Sequence, residues 1–69
     1  MDAQERADLV ARMFATMTGK LEDAAAEAVD GQAAGQEARD QISRAERIEM
    51  AVRDIGLMAE ATSAILRSS

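Results

Sequence analysis

The chain has 69 residues, a net charge of −5, no Cys, no His and no Pro, and Phe14 is its single aromatic residue. Without Cys or His it has no disulfide, no thiolate zinc site and neither of the usual transition-metal or general-base side chains. The acidic balance argues against a nucleic-acid groove or an anionic membrane as a partner.

Hydrophobic residues make up 48% of the chain and charged residues 30%, too apolar a mixture for a disordered tail. Sixteen residues are alanine, and β-branched and turn-forming types are scarce, which predicts an all-α fold. So short a chain forms one domain and buries little surface alone. Chains of this size usually rely on a staple, and with disulfide and zinc excluded the remaining one is association, with a second copy first. The N-terminal stretch lacks the basic and apolar regions of a signal peptide, and no run of about 18 apolar residues is present. A cytoplasmic protein with no membrane contact is the expectation.

Asp2 and Glu5 have the spacing of a capping box and open the first helix. Apolar residues then recur in steps of three and four at Ala3, Ala7, Val10, Phe14, Met17, Leu21, Ala24 and Ala28, nearly four heptads. Glu5, Asp8, Arg12, Thr16, Asp23 and Glu27 occupy the other side, and Asp2–Arg6 and Asp8–Arg12 are favourable pairs four residues apart. Gly19 is the weak point, where a helix loses about 1 kcal/mol relative to Ala. The heptad stays in phase across it, which favours one continuous helix over residues 3–30.

Strong punctuation comes at Asp30-Gly-Gln-Ala-Ala-Gly35. Gly31 suits the left-handed position that ends a helix, and residues 31–35 form a short loop. The second helix is expected over residues 36–67, giving an antiparallel helical hairpin with arms of about 42–48 Å. Folding about that loop sets Phe14 near Val52, Val10 near Ile55 and Leu21 near Ala45. Asp40–Arg44 and Glu49–Arg53 are further favourable pairs within the second arm.

Along the second arm, Ile48, Ala51, Val52, Ile55, Met58, Ala59, Thr62, Ile65 and Leu66 fall on one broad face. Met50, Leu57, Ala61 and Ala64 fall together on roughly the opposite face. One facing helix is too narrow to cover the broad face. A second hairpin completing a four-helix bundle would, with a self-association core of Val10, Phe14, Met17, Leu21, Ile48, Val52, Ile55, Met58 and Ile65. The narrow stripe, Met50, Leu57, Ala61 and Ala64, is then the candidate surface for a partner protein, with Met supplying an adaptable contact.

Catalytic and cofactor chemistry find no constellation. The serines lack a neighbouring base arrangement, and Glu46 and Glu49 form a carboxylate pair without the His that di-iron helix bundles use. Arg39, Arg44 and Arg47 are interleaved with Glu37, Asp40, Glu46 and Glu49, which cancels most of their field. Thr18-Gly-Lys20 lacks the rest of a phosphate-binding loop. The expected function is a non-catalytic, self-associating interaction module without cofactor, metal or catalytic residue. Two alternatives stand beside it, an acidic inhibitor or antitoxin-like regulator that occupies a basic site, and a purely structural homo-oligomer.

Overall fold

In the computed structural model, which describes residues 1–68, the chain is a hairpin of two long helices, α1 (Ala3–Gly31) and α2 (Ala38–Arg67), packed on each other. Asp2 caps α1, its carboxylate accepting the Glu5 backbone N–H at 2.7 Å. Helix α1 runs through Gly19 without interruption. Thr16 and Thr18, on either side of it, return their hydroxyls to the carbonyls of Arg12 and Phe14 one turn back. A Cβ at position 19 would meet nothing within 4 Å.

The turn differs from the simple reading of the sequence. Gly31 is still helical, and the left-handed residue is Gly35, at φ 81°. The second helix begins at Ala38 rather than at residue 36. Glutamine side chains take over the carbonyls that α1 leaves open at its end. Gln36 donates its amide to the carbonyls of Asp30 at 2.8 Å and Ala33 at 2.9 Å, and Gln41 donates to that of Gly31 at 3.3 Å.

The longer turn resets the register. Met13 meets Thr62, Lys20 meets Asp54, and Glu27 meets Arg47. Each pair lies one heptad further down α1 and about one heptad earlier in α2. Phe14 therefore stands level with the neighbourhood of Ala59, and Leu21 stands level with Val52 and Arg53. The expected pairing of Phe14 with Val52 and of Leu21 with Ala45 is out by about two helical turns. The cause is the extra residues of turn, which let the start of α2 overhang the end of α1.

The seam between the helices follows heptad spacing on both arms. On α1 it comprises Val10, Met13, Met17, Lys20, Ala24, Glu27 and Gly31; on α2 it comprises Arg44, Ile48, Ala51, Ile55, Met58, Thr62 and Ile65. All are at least half-buried, but only Met17, at 6% exposure, and Thr62, at 2%, are buried outright among the described residues. The Thr62 hydroxyl is satisfied within its own helix, donating to the Met58 carbonyl at 2.7 Å, and it also lies 3.7 Å from the Met13 sulfur. The bond back to position 58 offsets the cost of burying its hydroxyl.

Near the turn the seam becomes ionic. Arg44 does not fold back on Asp40. It crosses to α1, with Nη1 at 3.3 Å from the Glu27 carboxylate and 3.7 Å from that of Asp30, while its Nε donates to Gln36 Oε1 at 3.0 Å. Arg47 donates to the same Glu27 carboxylate at 3.0 Å. The Arg47 hydrogen bond, reinforced by the positive charges of Arg47 and Arg44, holds the Glu27 carboxyl below its ordinary range, against a smaller opposing effect of desolvation.

Two outcomes follow from this geometry. Gly19→Ala adds a methyl group in open space within a helix, and the variant should be more stable by up to about 1 kcal/mol in denaturant unfolding. A lowered carboxyl pKa means that the folded state binds its proton less readily than the unfolded state does. The stabilisation from Glu27 is therefore fully present above about pH 4.5 and is lost as pH falls through the lower, folded-state value. In acid titrations of Tm, Glu27→Gln should be less stable than wild type near neutrality, with the difference shrinking below that pH.

Candidate functional site

Each seam residue has a neighbour one position further along its helix, turned by about 100° to one side. In antiparallel helices the same sense of rotation arrives on the same side of the pair. One side of the hairpin therefore carries the residues that follow the seam, and the other carries those that precede it. The two sides differ sharply in chemistry.

The following side is apolar. On α1 it holds Ala7, Phe14, Leu21, Ala25 and Ala28, with Thr18 as its polar member. On α2 it holds Ala45, Val52, Gly56, Ala59, Ser63 and Leu66. Glu49, on the outer edge, is the one ionisable residue in either set. Phe14 is 54% exposed, Leu21 55% and Val52 60%. An open depression lined by Ile48, Glu49, Val52 and Arg53 marks the surface here.

The preceding side is charged along α1, through Glu5, Arg12, Asp23 and Asp30. The cross-helix pairs Lys20–Asp54, at 3.6 Å, and Arg47–Glu27, at 3.0 Å, bridge the helices on this side. Along α2 the same side carries Met50, Leu57, Ala61 and Ala64, all exposed, Met50 and Leu57 among the large ones.

The residues singled out from the sequence thus separate into three groups. Val10, Met17, Ile48, Ile55, Met58 and Ile65 line the seam within the chain. Phe14, Leu21 and Val52 do not; they lie beside it, on the apolar side. The heptad drawn through Ala3, Ala7, Phe14, Leu21 and Ala28 is rotated by part of a turn from the seam actually used, which runs through Met13, Lys20 and Glu27. The partner stripe Met50, Leu57, Ala61 and Ala64 lies on the far side of the hairpin from Phe14 and Leu21. Sequence reading missed Lys20, Glu27 and Arg44 as seam residues. Their spacing of a heptad from Met13 and from Ala51 was the available signal, masked by their charge.

Side chains with the chemistry of catalysis stay dispersed. Glu46 and Glu49 are both exposed, and no group of three or more acidic residues that could hold a metal ion occurs among the described residues. No helix among them is long and apolar enough to cross a membrane. What the arrangement can do is bury apolar area against another chain.

The solvent-accessible surface is 5093 Å². A compact folded monomer of 7.4 kDa is expected to expose about 4,200 Å². The Cα radius of gyration is 16.0 Å, against about 11 Å for a compact domain of this length. The hairpin is a rod, 53 Å long and 14 Å by 11 Å across its Cα atoms. Compared with known proteins, the chain matches no family model, no characterised sequence and no solved structure.

Proposed function

We propose that this chain is a non-catalytic protein-interaction module, a helical hairpin that self-associates into a four-helix bundle and offers the outer stripe of α2 to a partner protein. The observation that carries the reading is the imbalance of burial. Two helices of 29 and 30 residues bury two side chains outright, while Phe14, Leu21, Val52, Met50 and Leu57 are left more than half exposed. Each large apolar side chain left in water forgoes roughly 1.5–3 kcal/mol that burial would contribute. Contiguous exposed apolar surface on a small domain is characteristic of an association surface.

The acidic charge has a place in this reading. It keeps the free hairpin soluble and disfavours acidic partners at the outer stripe. The exposed apolar residues divide between two sides of the rod, which gives the module two contacts that can be occupied together. Self-association takes one, and the stripe Met50, Leu57, Ala61 and Ala64 takes the other.

Mass action gives the test. If folding is coupled to self-association, a hundredfold rise in protein concentration stabilises the dimer by about 2.7 kcal/mol and raises Tm by several degrees. A Tm that does not move with concentration contradicts the reading. Leu57→Glu, on the outer stripe, should leave both the helicity and this concentration dependence as in wild type. If the variant loses either, Leu57 belongs to the bundle and the outer stripe is no separate surface.

A further inference from the structure

A self-associating hairpin has two sides through which a second copy could pack. The structure distinguishes the sides. We infer that the side carrying Phe14, Leu21 and Val52 is the seat of a second copy of this chain, and that the side carrying Met50 and Leu57 stays outward. This inference rests on the proposed self-association and deepens it.

Four observations converge on that side and that occupant. The first is charge. Each copy carries a net charge of −5, so two copies repel overall and an interface rich in acidic residues is disfavoured. A two-fold interface sets the same patch against itself, and a charge close to the axis meets its own copy there. The Phe14–Leu21–Val52 side is nearly free of ionisable residues, with Glu49 at its edge. It is the side on which two acidic hairpins can meet without that cost. The opposite side carries Glu5, Arg12, Asp23 and Asp30 on α1 beside the stripe of α2, with the Lys20–Asp54 and Arg47–Glu27 pairs between the helices.

The second observation is the placement of bulk. Leu21 and Val52 stand level on the two helices, as the Lys20–Asp54 contact requires, and Phe14 lies two turns further along α1. They place the side's bulk near the middle of the rod, with alanines toward the turn and Ala7, Ala59 and Leu66 toward the open end. Central large residues with small ones around them allow two pairs of helices to close to packing distance. Met50 and Leu57 occupy one helix only, with charged residues across from them, so a second hairpin laid on that side would cover Asp23 and the Glu27–Arg47 pair as well.

The third is area. The hairpin exposes 5093 Å², about 900 Å² more than a compact chain of its mass. A standard stable interface removes about 800 Å² from each partner. One copy seated on one side of the rod thus brings the exposed area to that of an ordinary folded protein. The fourth is continuity. Met17, buried, and Ile48, half-buried, lie at the border between the seam and this side, so a copy placed here extends the existing seam into a four-helix core rather than starting a separate one.

Single tryptophans test the assignment, because the chain has neither Trp nor Tyr and any indole emission reports one position. Phe14→Trp and Leu57→Trp are prepared separately, and mass, emission and acrylamide quenching are followed on dilution. The expected result is a dimer in which the indole at 14 emits to the blue and resists quenching, then shifts red and becomes quenchable as the dimer dissociates. The indole at 57 should be water-exposed throughout. Phe14→Glu combined with Leu21→Glu should weaken the dimer by at least about 100-fold. The tryptophan variants, which preserve bulk, keep the test valid should the charged variant unfold. A dimer in which position 14 is as quenchable as position 57, or in which position 57 is shielded, overturns this inference and leaves the self-association reading standing. A wild-type chain that stays monomeric removes both.

Discussion

Two helices side by side share one line of contact, and that limit governs this molecule. A seam of heptad-spaced residues can shield the atoms that point along it, and nothing else. Here it shields Met17 and Thr62 fully and their seam neighbours by half. Thr62 can be buried in the seam because its hydroxyl is satisfied within its own helix. Every other large apolar residue has water on at least one flank. Hairpin geometry thus converts a chain that is 48% hydrophobic into a rod with two apolar borders.

Polar residues set where the seam lies. Lys20, Glu27 and Arg44 occupy seam positions and meet partners across it, Lys20 with Asp54 and Glu27 with Arg44 and Arg47. Exposed ion pairs of this kind contribute little stability individually. Their effect is on register and rotation, because a slide of one turn or a rotation toward the Phe14 heptad would separate them. The Gln36–Arg44–Glu27 cluster does the same at the turn, tying the loop, the end of α1 and the start of α2 together. With the charges drawn to one side of the rod, the other is left to Phe14, Leu21, Val52 and alanine.

Much of this was legible in the sequence, and the failures are instructive. The helical hairpin, the Asp2 cap and continuity through Gly19 followed from composition, capping chemistry and heptad phase. On α2 the seam was read correctly at Ile48, Ala51, Ile55, Met58, Thr62 and Ile65. On α1 the apolar residues form a band wider than one seam, so hydrophobicity alone could not choose between the line through Phe14 and Leu21 and the line through Met13 and Lys20. Cross-helix charge pairing made the choice, and it depends on a register that the turn sets. The turn was misread because Gly31 and Gly35 are equivalent as letters. The structure keeps Gly31 helical against Arg44 and gives the left-handed conformation to Gly35.

Function, in this account, follows from what the hairpin cannot do alone. A rod without a closed core leaves apolar surface in water, and in the proposed function other chains cover it. The central claim is that the folded unit in solution is larger than one chain. Sedimentation equilibrium of the wild-type chain at micromolar concentration, under conditions where it is helical by circular dichroism, tests that most directly. The account predicts a mass twice the chain's 7.4 kDa. A fully helical species of 7.4 kDa would contradict it.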